Sequence, residues 1–205
     1  DARFSLLYFH GNGEIVSDYD SLASHFNTLG SELTVCDYRG YGRSEGTPTL
    51  RNGLEDAKVI YRHLRGNSKL KSKVCVMGRS LGSAPAIELC VQFPEIACCV
   101  IESGYADPIP LVERRGLRID KTTPAEDAMF NNSHKIRLIE CPLLIMHGEE
   151  DFLIHPQEAR LNYENAGSKH KVLEILEGVG HNDMMMACDN AYFESLTRFF
   201  KEIFI

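Results

Sequence analysis

The chain is short of positive charge: 22 lysines and arginines stand against 29 aspartates and glutamates, a formal charge of -7. Proteins that grip nucleic acid neutralise phosphates with a surplus of Lys and Arg on one face, so nucleic acid is not an expected partner. Long apolar runs are missing as well. The longest, such as Leu143-Leu144-Ile145-Met146 and Cys98-Cys99-Val100-Ile101, are several times shorter than the roughly 20 residues needed to cross a bilayer, and no transmembrane segment is expected. The seven cysteines (Cys36, Cys75, Cys90, Cys98, Cys99, Cys141 and Cys188) include no C-x-x-C pair. Most lie inside apolar runs, where a thiol behaves as a small buried hydrophobe, so a reducing compartment, the cytoplasm, is expected. There is no H-E-x-x-H, no His-x-His and no Cys/His cluster with ligand spacing, so no metal-activated water is expected. No Gly-Lys-Ser/Thr follows a glycine-rich loop, and Gly40-Tyr41-Gly42-Arg43-Ser44-Glu45 has Glu where the dinucleotide fingerprint needs its third glycine. Neither cofactor nor metal is expected. The opening residues DARFSLLYFH read as a strand entering the fold and not as a basic, then apolar, cleavable leader.

What the chain does have is the composition of one well-filled domain over residues 1–205, with 43% apolar and 25% charged residues. Short apolar runs at 4–10, 33–38, 73–78, 97–102, 142–147 and 171–176 predict strands. Helical spacing is carried by Ser21, Leu22, His25, Phe26 and Leu29, by Leu54, Ala57, Val59, Ile60 and Leu64, by Ala84 to Phe93, and by Tyr192 to Phe204. Strands apolar at nearly every position need both faces covered, which predicts a mostly parallel, doubly wound α/β sheet with helices on both faces. Residues 104–140 contain the stretch without clear periodicity, and these form the expected short cap.

Open parallel sheets bind ligands beyond the carboxyl ends of their strands, so the residues after each apolar run carry the functional reading. After 73–77 comes Gly78-Arg79-Ser80-Leu81-Gly82, a G-x-S-x-G. In that motif the serine sits on a tight strand-to-helix turn that lifts its hydroxyl above the sheet at a helix N-terminus. The alternative is a pair of packing glycines around a helix-capping serine. A hydroxyl is a weak nucleophile at neutral pH, so it needs a base, and the base needs an acid to fix its tautomer. His147-Gly148-Glu149-Glu150-Asp151 and Gly178-Val179-Gly180-His181-Asn182-Asp183 follow the last two predicted strands. Ser80 as nucleophile, Asp151 as acid and His181 as base then run in the chain order Ser, acid, His. Glu102 and Asp183 are rival acids, and His147 is expected to pack beneath the acid loop. The expected oxyanion donors are the backbone N–H groups of Leu81 and of Asn12, the latter in the turn after the first strand.

The set HGNGE (10–14), DYRGYGRSEG (37–46), GRSLGS (78–83), HGEED (147–151) and GHND (180–183) resembles the α/β-hydrolase superfamily. It is most similar to small, lid-poor serine hydrolases, including depalmitoylase-like abhydrolase-domain proteins and serine aminopeptidase-like hydrolases. The resemblance implies the same Ser80, Asp151 and His181, with Asn12 and Leu81 at the oxyanion. It also implies a structural role for DYRGYGRS, with Asp37 and Arg39 as a buried ion pair or loop clamp. Such proteins usually begin with a β-hairpin before the strand leading into HG, whereas this sequence opens at that strand, implying either a longer protein or a sheet of about six parallel strands.

Residues 105–115 suggest a turn and then a short helix. Arg114, Arg115, Arg118 and Lys121 could greet an anionic substrate group, but a solvated helix face is the preferred explanation. Leu81, Phe152 and Met184 are the expected walls of an acyl pocket. The expected activity is cleavage of a small-molecule carboxylic ester or thioester through an acyl-enzyme. A binding protein on the same fold, a peptidase or a perhydrolase is the alternative, and the oligomeric state is not legible.

Overall fold

The six apolar runs become six strands that pair into one parallel sheet. The structure, a computed structural model, describes residues 2–114, 116, 118–119, 121–186 and 191–204, so Arg115 and Cys188 lie outside the described residues. The strands are β1 (Phe4–Phe9), β2 (Ser31–Val35), β3 (Val74–Arg79), β4 (Cys98–Glu102), β5 (Leu143–Gly148) and β6 (Lys171–Leu176). Their order across the sheet is β2-β1-β3-β4-β5-β6, and every neighbouring pair is parallel. All carboxyl ends therefore open on one rim.

The pleat divides the apolar side chains between two cores. Leu7, Phe9, Val76, Cys99, Ile101, Leu143 and Ile145 face one side, where they meet Ala57 and Tyr61 of α2 (Leu50–Gly66) and Ala86 and Ile87 of α3 (Ser83–Gln92). Phe4, Leu6, Tyr8, Cys75, Met77, Val100 and Met146 face the other. There they meet Phe26 of α1 (Ala23–Thr28) and Tyr192, Leu196, Phe199 and Phe200 of the last helix, Ala191–Phe204. Near-continuous apolar strands are thus explained by alternate residues serving opposite layers.

Two expectations shift. The second strand spans Ser31–Val35 and does not reach residue 38, because Cys36 leads the chain out of the sheet and Asp37 and Tyr38 already belong to the DYRGYGRS loop. Residues 104–140 hold the short helix expected within 105–115, α4 (Pro108–Glu113), and two more that no periodicity announced, α5 (Pro124–Phe130) and α6 (Asn132–Lys135). α5 begins with a capping box in which Thr123 accepts from Glu126 N–H while the Glu126 carboxylate accepts from Thr123 N–H. A further helix, α7 (Pro156–Asn165), links β5 to β6, which makes Ala191–Phe204 α8. Among the described residues no helix is long and apolar enough to cross a membrane.

Candidate active site

Ser80 immediately follows β3, and its backbone carries it into the left-handed region, φ 53°. A non-glycine residue held there costs about 1–3 kcal/mol, so its surroundings must impose the turn. They do so by close backbone approach. A Cβ on Gly78 would collide with the carbonyl oxygen of Gly82, and one on Gly82 would collide with the carbonyl oxygen of Phe9 at the end of β1. The two glycines let β3 turn sharply into the helical turn Ser80–Gly82 and then α3. The Ser83 hydroxyl donates to Ser80 O at 2.7 Å and tightens the turn further.

Asp151 and His181 reach the same rim from β5 and β6. Their loops are stitched together by Glu149 N–H donating to Leu176 O and Glu150 N–H donating to Val179 O, each at 2.9 Å. One Asp151 oxygen accepts from the N–H groups of Leu153 (2.9 Å) and Ile154 (2.8 Å). The other faces Nδ1 of His181 at 2.6 Å, while His181 Nε2 lies 3.0 Å from Ser80 Oγ, 101 residues away in sequence. Ser80, His181 and Asp151 therefore form one hydrogen-bonded line, and all three are buried.

Burial pushes the Asp151 carboxyl up, but hydrogen bonds from His147, His181 and the Ile154 N–H outweigh it and hold the acid well below the usual carboxylate range. An ionised carboxylate only accepts, so Nδ1 of His181 carries the proton and Nε2 offers its lone pair to the serine hydroxyl. His147, fully buried on β5, packs beneath the acid loop as expected and also braces it. Its Nε2–H is shared between Ile154 O (2.7 Å) and Asp151 (3.1 Å). The rival acid Glu102 is already engaged: it accepts from Arg79 Nε (3.2 Å), Tyr192 OH (2.7 Å) and Tyr8 OH (3.4 Å). Burial first, and then the Glu102 charge, push both phenols far above their ordinary value, so they remain donors.

In the turn after β1, Gly11 N–H is taken by Glu14 (2.8 Å). Among the described residues no acceptor takes the N–H of Asn12, whose side-chain oxygen accepts from Tyr41 OH at 2.5 Å. Asn12 and Leu81 border one cleft of about 250 Å³, walled by Tyr38, Tyr41, Pro48, Leu50 and Pro85. The expected walls Phe152 and Met184 are not part of it. Phe152 is 80% exposed, and buried Met184 borders a different cavity beside Arg79 and Glu102. Asp37 and Arg39 do not pair with each other. Asp37 approaches His10 Nε2 (3.2 Å) and accepts from Val16 N–H (2.9 Å), while Arg39 Nε donates to Asp56 (2.8 Å). Each clamps the DYRGYGRS loop separately. Arg114 is paired with Glu158 at 3.7 Å. Sequence reasoning passed over Arg79 and Glu14, whose side chains meet beside the elbow; their position within two of the motifs was the available signal.

The six-stranded parallel sheet, the sharp turn at Ser80 and the strand-end order Ser, Asp, His define an α/β hydrolase. The chain belongs to the family described as serine aminopeptidase, S33, which it matches over residues 1–110 and 105–185, and it is a hydrolase by that membership. It is similar to alpha/beta hydrolase domain-containing protein 17B of Homo sapiens, 32% identical over 97% of this chain and 67% of the relative. Protein 17C of Mus musculus is 30% identical over 97% of this chain and 60% of its own length. The chain thus spans about two thirds of the length of such relatives. In structure it resembles the Pyrococcus furiosus esterase Pf2001, with TM-score 0.80, 18% identity, and coverage of 100% of this chain and 84% of that one. It also resembles a Paleococcus ferrophilus monoacylglycerol lipase, with TM-score 0.74, 18% identity, and coverage of 97% and 94%. At that identity both show the fold.

Proposed function

We propose that the protein hydrolyses a carboxylic ester or thioester through an acyl-enzyme formed on Ser80. The observation that carries this reading is the continuous line from Asp151 through His181 to a serine hydroxyl raised on a strained turn. His181 Nε2 takes the Ser80 proton as the oxygen attacks the substrate carbonyl, and the Asp151 carboxylate steadies the imidazolium that forms. Negative charge gathers on the former carbonyl oxygen, where the N–H groups of Leu81 and Asn12 are the donors; each such donor is worth about 3–4 kcal/mol. His181 then gives its proton to the leaving alcohol or thiol. Water enters, loses a proton to the same Nε2, and the acid product departs as Ser80 recovers its hydrogen. No metal or organic cofactor takes part in this scheme.

The cleft beside Leu81 supports an apolar acyl or alcohol group there, since aromatic, proline and leucine side chains make up much of its wall. The hydrolase relatives support hydrolysis, and an esterase and a lipase among the structural neighbours favour ester chemistry. Six described cysteines are free thiols, in keeping with a reducing, cytoplasmic setting.

A fluorophosphonate probe tests the reading. The wild-type chain should label at Ser80 and hydrolyse p-nitrophenyl esters or an acyl-thioester, and Ser80→Ala should lose both, with a fall in kcat on the order of 10⁶. A folded wild-type chain that neither labels nor turns over any member of a C2 to C16 ester panel would instead be a binding protein on this fold.

A further inference from the structure

Arg79 stands directly before Ser80, and its guanidinium is the meeting point of two strand-end loops and the end of a third strand. Nη2 donates to the carbonyl oxygen of His181 at 2.9 Å and to Asn182 Oδ1 at 3.2 Å, both in the loop after β6. Nη1 forms an ion pair with Glu14, in the turn after β1. Nε donates to Glu102 at the end of β4, the register partner of Arg79 across the β3/β4 ladder. Glu14 passes the constraint on: its second oxygen accepts from Gly11 N–H (2.8 Å) and Tyr19 OH (2.5 Å). A Cβ on Gly11 would sit 3.0 Å from both Arg79 Nη1 and the Glu14 carboxylate, so the absence of a side chain there makes room for the pair.

We propose that Arg79 is a positioning residue for the hydrolysis above, a forked strut that sets the oxyanion turn and the base loop relative to the nucleophile. The inference rests on that reading of the site. A guanidinium suits the task because its planar fork offers five N–H donors in fixed directions, which an ammonium cannot copy. Here it satisfies two carboxylates, one backbone carbonyl and one amide at once. Its grip on His181 acts on the backbone of the residue that carries the base, and its grip on Glu14 acts one residue before the Asn12 N–H. The inner half of the cluster is closed to water, with the Arg79 side chain 10% exposed and Glu102 fully buried, while Glu14 is half-buried and Asn182 stands at the surface. One buried and one half-buried carboxylate around a guanidinium add little as stability alone, since buried ion pairs often do no better than well-packed apolar residues and partly exposed ones contribute less than about 1 kcal/mol. Their use is in fixing relative position, and misplacement of reacting groups by about 1 Å costs about 100-fold in rate.

The test measures ester hydrolysis and fluorophosphonate labelling for the wild-type chain, Ser80→Ala, Arg79→Ala and Arg79→Lys, with thermal melting of each. Arg79→Ala should lower kcat about 100-fold while KM moves less than about threefold, because substrate contacts stay in place and only the alignment of attack is lost. Millimolar methylguanidinium should restore part of that kcat, whereas an alkylammonium should not. Arg79→Lys, which keeps the charge and loses the fork, should remain at least about tenfold slow. If Arg79→Ala fails to fold, Arg79→Lys carries the same split between kcat and KM. An active wild type whose folded variants keep kcat, or lose kcat and binding together without rescue, overturns the strut and leaves the proposed chemistry standing. An inert wild type overturns both.

Discussion

The rim that carries Ser80 and the segment 104–140 are joined through one small core, in which Tyr105 packs with Leu54, Ala84 and Ile154 while Leu111 and Phe130 lean on it. They are nevertheless built on opposite plans. On the rim nearly every loop is fixed by side chain to backbone hydrogen bonds: Asp151 to Leu153 and Ile154, Glu14 to Gly11, Arg79 to His181. Segment 104–140 is tied down at its two ends. Asn132 and Asn162 both donate to Tyr105 O at 3.0 Å, and Glu158 accepts from Ala106 N–H at 2.9 Å. Between those ties α4 and α5 bury no residue at all, whereas α3, which follows Ser80, buries seven of its ten. Directional bonds hold reacting atoms to tenths of an ångström, and apolar contact merely covers a surface. The rim therefore should carry rate, and the segment should carry selectivity.

The largest effect that this contrast predicts comes from the acid. Asp151→Asn replaces an acceptor-only group by one that also donates and so favours the wrong tautomer of His181, lowering kcat about 10⁴-fold with the fold intact. Steady-state kinetics beside a melting curve reads it, and a loss below tenfold would place the acid elsewhere. The pH dependence has a definite sign. Because the folded carboxyl titrates below its ordinary value of about 3.9, its contribution to stability is fully present above that value and is lost as pH falls through the folded one. The gap in melting temperature between wild type and Asp151→Asn should stay level between about pH 5 and 8 and close in stronger acid.

Gly82→Ala is next in size and touches stability more than chemistry. The added methyl meets the Phe9 carbonyl, which is backbone at the end of a strand paired on both sides and has little room to move. Overpacking of that kind costs about 3 kcal/mol, measurable by urea unfolding, and an unchanged midpoint would mean that β1 and the elbow are not held as tightly as their contact implies.

These sites were legible in the sequence because each sits where a strong local signal meets a strand end: Gly-x-Ser-x-Gly after an apolar run, Asp151 and His181 in glycine-containing loops after two more. Helix α7 was not legible. Its buried face consists of Glu158, Ala159 and Asn162, so the residues that hold it in place are polar and small, and no apolar period announces a helix. The same cause hid the arrangement of residues 104–140, where the anchors are Asn132, Asn162 and Glu158 acting on backbone groups. The pocket walls were misplaced for a related reason. Phe152 follows the acid in sequence, but Asp151 turns the chain by accepting from Leu153 and Ile154, and Ile154 becomes buried while Phe152 faces solvent. Arg79 escaped notice because its partners come from positions 14, 102 and 181, and no local pattern connects them.

The smallest effect sharpens the contrast from the other side. Leu50, at the start of α2, walls the cleft beside Leu81 and also the cavity lined by Pro108, Ile109, Val112 and Phe130 under α4 and α5. It is half-buried and separates two spaces of about 250 and 240 Å³. Truncation to alanine removes part of that partition while leaving every rim hydrogen bond in place. Leu50→Ala should therefore cost only about 1 kcal/mol of stability, since a half-buried leucine forfeits only part of its transfer energy. It should move the optimum of a p-nitrophenyl ester series toward longer acyl chains, with kcat on the shortest ester within about twofold of wild type, because uniform binding changes KM and not the chemical step. An unchanged chain-length profile would mean that the acyl chain leaves Ser80 by another route. A drop in kcat on the short ester would mean instead that the segment and the rim are mechanically one body.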